Sequence, residues 1–178
     1  MGQVLDLNAL AFRNAEYKRQ NLWILSMDGV DAWLARSASK PHLSFGDSMQ
    51  VNYVATYSRY SSTRGSWNPI DITLNDALDP SASLEITNLL LAQWDYENGR
   101  AGLKSQYMKK EVLLKLLAPG IDTTNLTNTQ TSVTEIWTIH NAFFTDVNFN
   151  ASNLDYDNTD RQTISFTLNY DYATLAKA

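Results

Sequence analysis

The sequence predicts a mainly β, β-rich α+β fold, in which two antiparallel sheets pack as a sandwich or barrel with one α-helix. Residues 163–172 alternate strictly between apolar and polar side chains, and residues 49–57 repeat the pattern. Successive side chains of a strand point to opposite faces, so each segment has one apolar and one polar face. Residues 80–97 carry the one clear helical pattern. Strands at both ends of the chain with a helix between them favour this architecture.

Length and composition are typical of a single domain. The chain has 178 residues, 44% of them hydrophobic, with nine Tyr, five Trp and six Phe, which suits strands and interfaces. Its formal net charge of -5 argues against a nucleic-acid-binding protein, which needs a basic patch. The absence of cysteine excludes disulfides and thiolate metal sites. We expect one domain, residues 1–178, with an extended N-terminal segment and a long hairpin loop near residues 58–66.

In the first half, strands are separated by recognisable turn residues. Asp28–Gly29 ends the first strand, and a continuation across a hairpin into residues 30–34 is an open option. Residues 58–65 are polar and end in glycine, which predicts a hairpin tip. Pro69 cannot donate a ladder hydrogen bond and belongs at a strand start or edge. The predicted strands of this half are residues 21–27, 49–57 and 67–75.

The helix prediction depends on its first residues. Asp79 fits the N-cap and Pro80 the first helical position, and Asn98–Gly99 supplies the end. The apolar stripe of this helix consists of Leu84, Ile86, Leu89, Leu90 and Trp94.

Beyond the helix, the sequence alternates strands with one polar loop. Residues 109–117 fit a helix or a strand, and the shared parity of Val112, Leu114 and Leu116 favours a strand. Residues 121–132 are rich in Thr and Asn and predict a loop. The remaining strands are residues 135–149, as one long or two short strands, and residues 163–172.

No catalytic constellation is recognisable, so we expect no enzyme, cofactor or metal. His140 lies in an apolar strand, which favours a hydrogen-bonded structural role, and His42 lies in a polar turn. The densest acidic cluster could hold calcium but lacks the glycine and terminal Glu of an EF-hand, which favours a solvated turn. A basic group fits a solvated face or a docking strip better than a nucleic-acid site. The acidic cluster is Asp155, Asp157, Asn158 and Asp160, and the basic group is Arg100, Lys104, Lys109 and Lys110.

The sequence also indicates no membrane insertion. No stretch approaches the apolar length of a membrane helix. The start, Met1–Asp6, lacks the basic region of a signal peptide. We therefore expect a soluble protein made in a cytoplasm.

Three segments carry a resemblance to a known family. Residues 67–74 place a Trp-x-Pro before a strand, residues 136–143 lead a strand into a small-residue turn, and Asp155–Tyr156 precedes the alternating residues 164–173. Together they make residues 21–175 resemble the tail tube proteins of contractile-tailed bacteriophages. This superfamily includes the tube of the type VI secretion system.

The resemblance implies a structural protein. It implies two packed antiparallel sheets with one helix, and hexameric rings stacked into an inner tail tube inside a contractile sheath. The implied partners are further copies of the chain, the sheath, baseplate and tail terminator proteins, with the tape measure protein and DNA transiently in the lumen. The implied location is the virion tail, assembled in the host bacterial cytoplasm. The sequence does not separate a phage tail from a bacteriocin or another injection system.

The implied tube has a bore wide enough for duplex DNA. Six subunits giving four strands each close a barrel of backbone radius about 26 Å and bore about 40 Å. We expect the hairpin tip to contact the adjacent ring, and polar strand faces to line a wall that repels DNA. The predicted inter-ring residues are Tyr57, Arg59, Tyr60 and Arg64. The predicted lumen residues are Gln50, Asn52, Thr56, Thr163, Thr167, Asn169 and Asp171.

Two alternatives to a tube protein stay open at this point. One is a monomeric β-sandwich binding module, for example a carbohydrate-binding domain that uses exposed Trp and Tyr. The other is an enzyme that uses the carboxylates of residues 155–160.

Overall fold

A computed structural model describes residues 17–62, 64–118, 133–149, 156–157 and 159–177. The predicted N-terminal extension and the predicted loop at residues 121–132 lie outside these residues. The strands are β1 (Trp23–Met27), β2 (Ala35–Ala38), β3 (His42–Phe45), β4 (Met49–Tyr53), β5 (Thr56–Tyr60), β6 (Gly65–Asn68), β7 (Ile70–Asn75), β8 (Trp94–Asp95), β9 (Arg100–Ala101), β10 (Lys109–Leu117), β11 (Val133–Asn148), β12 (Thr163–Asn169) and β13 (Tyr172–Ala176). The helices are α1 (Ala82–Gln93), α2 (Lys104–Tyr107) and a 3₁₀ turn (Ala32–Leu34).

The body of the molecule is one continuous antiparallel sheet that forms two layers. Its strand order is β1-β10-β11-β12-β7-β2, and β13 pairs with β11 as well. The first half of β11 pairs with β10 and β13, and the second half pairs with β12. The first layer is therefore β1, β10, early β11 and β13, and the second layer is late β11, β12, β7 and β2. The predicted mainly β fold with one long helix is confirmed, and the long β11 joins its two layers.

The bend between the layers lies at one residue of β11. Asn141 has a φ of 60°, a left-handed conformation that Asn tolerates better than most residues. Its Nδ2 donates to Oδ2 of Asp171 at 2.7 Å, and the Asp171 N–H donates to the His140 carbonyl at 3.1 Å. Asp171 lies between β12 and β13. The chain therefore passes from one layer to the other at the same level in β11 and between β12 and β13.

The core lies between the two layers and receives one face of α1. Phe144 and Phe166 meet edge to face with ring centroids 5.3 Å apart, and Ile86 of α1 is fully buried. The predicted apolar parity of residues 163–172 is buried from Ile164 to Tyr170. The prediction of one strand there is wrong, since Tyr170–Asp171 interrupt it and Tyr172 is 46% exposed. Other core residues are Leu25, Met27, Leu34, Ile70, Ile72, Leu74, Val112, Ile139 and Leu168.

The long hairpin differs from its prediction in where it turns. Residues 49–57 are not one strand, because β4 ends at Tyr53 and pairs with β5 across a turn at Val54–Ala55. The predicted tip near residues 58–66 is thus a descending strand followed by a short connection to β6. The turn contains no Gly, Pro, Asn or Asp, so it carries no local signal, and the alternation continues through it.

The helix is shorter than predicted. It begins at Ala82 after the N-cap Ser81 instead of at Pro80, and the Asp76 carboxylate accepts the Ser83 N–H at 3.2 Å. It ends at Gln93, so Asn98–Gly99 instead form the turn of the β8–β9 hairpin. Two members of the predicted stripe are exposed: Leu84, within the helix, by 67%, and Trp94, beyond its end, by 58%.

The other element predictions have mixed outcomes. The strand at residues 109–117 is confirmed, and residues 133–148 form the single long strand among the two options. Residues 30–34 are not a continuing strand, since they hold the 3₁₀ turn before β2. No sequence pattern predicted α2, which contains Lys104 of the basic group. The role of that group stays open.

Candidate assembly surfaces

The hairpin from residue 42 to residue 68, called the ribbon below, extends β2 and β7 of the second layer. Its inner part is β3 paired with β6, and its outer part is β4 paired with β5. At its base Trp67 packs against Tyr170 with ring centroids 6.0 Å apart, and burial raises the pKa of Tyr170. A two-stranded ribbon is marginally stable alone in water, so this anchorage matters.

The ribbon exposes several large apolar side chains, most of them on its outer part. Val54 at the turn is fully exposed, and the large side chains around it are about half exposed or more. By register, Met49, Tyr53 and Tyr60 share one face of the ribbon and Tyr57 lies on the other. Clustered apolar exposure marks interaction sites in soluble proteins. The exposed side chains are Phe45, Met49, Tyr53, Val54, Tyr57 and Tyr60.

The four predicted inter-ring residues all lie on the ribbon. Tyr57, Arg59 and Tyr60 belong to β5, and Arg64 lies in the short connection before β6. The Arg59 guanidinium carbon lies 5.4 Å from the centre of the Tyr57 ring, a cation–π geometry. The structure therefore groups these residues on one projecting element, although not at its tip.

The predicted lumen residues fall into two groups. Thr163, Thr167 and Asn169 share the outward face of β12, where Thr167 Oγ1 donates to Oδ1 of Asp71 at 2.6 Å. Thr163 is only 5% exposed, so it contributes little open surface. Polar residues of β7 and β11 pair with these residues of β12 and share their face of the sheet. We call this face the polar wall: Asp71, Thr73, Asn75, Asp146, Asn148, Thr163, Ser165, Thr167 and Asn169.

The remaining predicted lumen residues lie elsewhere. Gln50 and Asn52 lie on β4, where Gln50 Nε2 donates to Asn52 Oδ1 at 2.8 Å, and Thr56 begins β5. Because β4 pairs with β5 and not with β12, these three side chains belong to the ribbon. Asp171 lies at the crossing between layers, bonded to Asn141.

Sequence reasoning missed a buried ion cluster. The Glu135 side chain is 8% exposed and accepts hydrogen bonds from Lys18 Nζ, from Lys40 Nζ at 3.4 Å and from Trp137 Nε1 at 2.5 Å. The hydrogen bond from Lys18 is the main reason that the pKa of Glu135 lies below its usual range. The sequence does carry one sign of this cluster: Glu135 is a charged residue on the apolar face of its strand, which it shares with Val133, Trp137 and Ile139.

Sequence reasoning also missed how one sheet edge is covered. Beyond Ala142, β11 has no strand on its β10 side among the described residues. There the Gln93 side chain donates to the Phe144 carbonyl at 2.8 Å and accepts the Phe144 N–H at 3.2 Å. The amide of Gln93 thus makes the two bonds that a neighbouring strand would make. No sequence pattern pointed to this contact.

Both histidines make contacts with neighbouring side chains in the structure. His140 stacks on Tyr172 with centroids 4.4 Å apart, and its Nε2 lies 3.2 Å from the Thr174 hydroxyl, which confirms the hydrogen-bonded role. His42 begins β3, so the prediction that it lies in a turn is wrong, and its Nδ1 lies 3.1 Å from Nδ2 of Asn68. Asp155 and Asn158 lie outside the described residues, so the calcium hypothesis stays a hypothesis.

The described residues contain no metal-binding cluster and no membrane-spanning helix. No group of His, Asp and Glu side chains there is arranged to hold a metal ion. No described helix combines the length and apolar character needed to cross a membrane.

Solved structures with the same fold come from contractile injection systems. The anti-feeding prophage cap, a tube-terminating cap, matches with a TM-score of 0.64 at 16% identity, over 92% of this chain and 93% of that one. A chain of the sheath-tube complex of an extracellular contractile injection system (PVC) matches with a TM-score of 0.63 at 14% identity, over 93% and 95%. The sheath/tube terminator of that system also scores 0.63 at 14% identity, over 92% and 99%. No family model and no curated protein matches the sequence.

The fold is therefore that of tube and tube-terminator components of contractile injection systems. The resemblance to the tail tube superfamily is confirmed at the level of the fold. The matched proteins are structural components, and they do not favour a monomeric carbohydrate-binding module.

Proposed function

We propose that this chain is the building block of the inner tube of a contractile tail or a related injection system, and that it forms hexameric rings that stack. The main support beyond the fold is the ribbon, which carries six large apolar side chains that the described subunit leaves about half exposed or more. Full burial of a large apolar side chain contributes about 1.5–3 kcal/mol, so a ribbon contact can hold two rings together. The sheath, baseplate and terminator proteins follow as partners.

The ribbon is the proposed link between rings. It is a hydrogen-bonded extension of the second layer, so it transmits position from one subunit to the next more rigidly than a loop would. Tyr and Arg are favoured at interface hot spots, and Tyr57, Arg59, Tyr60 and Arg64 supply both types. Contact with the adjacent ring removes the exposed apolar surface from water.

The polar wall is the proposed lining of the bore. It carries the carboxylates of Asp71 and Asp146 and no Lys or Arg. Two carboxylates in each of six subunits give twelve negative charges per ring. A wall of this sign repels DNA and other polyanions and lets them slide. The cargo, DNA or effector proteins, travels through this bore.

Reversal of the ribbon charges tests the stacking. Arg59→Glu with Arg64→Glu is expected to leave the subunit folded but to shorten or abolish tubes in negative-stain microscopy. Arg161→Glu with Lys177→Glu makes the same charge change at exposed positions away from the ribbon, and its tubes should have normal length. Tubes of normal length in the ribbon variant would refute the ribbon contact. A wild-type protein that stays monomeric at high concentration with a nucleating baseplate would refute the tube itself.

Added positive charge tests the lining. Thr167→Lys with Asn169→Lys adds twelve positive charges to a ring of six, on side chains that are only partly exposed and outside the core. Tails should assemble while DNA ejection slows, and higher salt should relieve the defect because screening shortens the attraction. Thr167→Ser with Asn169→Gln is the matched control. Unchanged ejection, or an outward position of both residues in an assembled tube, would contradict this assignment.

A further inference from the structure

A groove with positive charge opens between the edges of β1 and β2. It encloses about 450 Å³, and Trp23, Leu114 and Leu116 give it an apolar floor. Four cationic side chains line it: Lys18, Arg19, Arg36 and Lys40. We call it the basic groove. Glu135 pairs with Lys18 and Lys40, while Arg19 and Arg36 form no ion pair within the described part of the chain. Three positive charges are therefore in excess, in a protein whose net charge is -5.

An acidic projection lies at the other end of β1. Gly29, with a φ of 81°, permits the tight turn in which the Val30 N–H donates to the Met27 carbonyl at 3.1 Å. Asp28 and Asp31 are exposed around this turn. Trp33 is 61% exposed, and its indole N–H donates to Oδ2 of Asp31 at 3.2 Å. We call residues 28–33 the acidic knob.

The knob cannot occupy the groove of its own subunit. The groove lies at the Trp23 end of β1 and the knob follows Met27, so four residue steps, about 13 Å of extended strand, separate them. Two complementary patches that lie apart on one subunit can make a head-to-tail contact between copies. Such contacts generate closed rings or filaments from identical copies.

Resting on the proposed function, we infer that the acidic knob of one copy docks into the basic groove of the next copy and that this contact closes the ring. The carboxylates of Asp28 and Asp31 meet Arg19 and Arg36, and the Trp33 ring covers the apolar floor. Charge and apolar surface are thus matched at the same time. Trp and Arg are also the residue types that dominate interface energies.

A charge swap tests this contact. The knob-reversed variant is Asp28→Lys with Asp31→Lys, and the groove-reversed variant is Arg19→Glu with Arg36→Glu. Each alone brings like charges together and should weaken association about tenfold or more, without loss of folded structure by circular dichroism. An equimolar mixture should associate again, because every knob then meets a groove of opposite charge. Native mass spectrometry should find rings with three copies of each variant.

Further variants separate charge from packing. Trp33→Ala should also weaken association while the thermal midpoint stays unchanged, because the ring is exposed in the subunit. Arg161→Glu with Lys177→Glu serves again as the control for net charge, and its association should equal that of the wild type.

The outcomes distinguish the two proposals. Rings from each single variant as abundant as from the wild type would overturn the knob-and-groove contact and leave the tube proposal standing. If the wild type makes no rings or tubes, the tube proposal fails. Sedimentation of the two variants, mixed and apart, then decides on the contact alone: association confined to the mixture supports it, and no association overturns it.

Discussion

The two-layered body and the ribbon of this protein share one sequence pattern, alternating apolar side chains, which are buried in the body and exposed on the ribbon. In β7, every second side chain is apolar, and Ile70, Ile72 and Leu74 are all buried. In β4, Met49, Val51 and Tyr53 repeat that spacing, yet Met49 and Tyr53 are more than half exposed. Alternation therefore predicts a strand with an apolar face, but it does not predict whether the cover for that face comes from the same chain.

The two regions also differ in how their strands are supported. β7 has strands on both sides, β12 and β2, and its apolar side chains lie in the core between the two layers. β4 has β5 on one side only, within the described residues. Folding free energy is therefore concentrated in the body, and the ribbon contributes little to it until a partner covers its apolar face.

The largest expected effect lies in the body. Phe166→Ala removes a ring that is 2% exposed and packed against Phe144, and it should lower the free energy of unfolding by about 3–5 kcal/mol. Phe45→Ala, on the ribbon at 58% exposure, is the matched control and should change it by less than about 0.5 kcal/mol. Urea unfolding of both variants measures the difference. Equal losses would erase the distinction between body and ribbon.

An intermediate effect is expected at the buried ion cluster. Glu135→Gln leaves Lys18 and Lys40 without their carboxylate, and because both are half exposed the loss should be about 1–2 kcal/mol. The folded pKa of Glu135 is lowered, so its stabilisation is present above the unfolded value of about 4.3 and is lost as pH falls through the folded pKa. The gap between wild type and variant should therefore close in acid. The exposed Glu111→Gln is the control, and a gap that does not narrow as the pH falls below about 4.3 would contradict the assignment.

The smallest expected effect on folding lies at the end of the ribbon. Tyr53→Ser replaces a ring that is 55% exposed, so the free energy of unfolding of the subunit should change by less than about 0.5 kcal/mol. Tube formation, measured by light scattering, should nevertheless fall. A loss above about 2 kcal/mol in the subunit would mean that the ribbon packs on the body in solution.

Much of the body was predictable because its signals are local. The parity of Val112, Leu114 and Leu116 indicated β10, and that of residues 164–170 indicated the buried face of β12. Turns without glycine or proline were not predictable, and the one at Val54–Ala55 moved the ribbon tip by several residues.

The surfaces were predictable only in part, because they depend on contacts distant in sequence. Lys18 and Glu135 are 117 positions apart, and Gln93 and Phe144 are 51 apart. No periodicity reports on such pairs. The four ribbon residues were found because Tyr and Arg stood out in a polar segment, whereas the basic groove required the fold to bring β1 and β2 together.

The contact between Gln93 and Phe144 bears on how this protein resists aggregation at high concentration. An open strand edge recruits any extended peptide, which is a route to aggregation. At Phe144 both edge groups of β11 are already bonded by a side chain, so an incoming strand gains nothing there until it displaces the amide. A chain that exposes an apolar ribbon thus closes one of its sheet edges with a single glutamine. Fewer modes of self-association are therefore open to the protein, and irregular addition of strands along that edge is disfavoured.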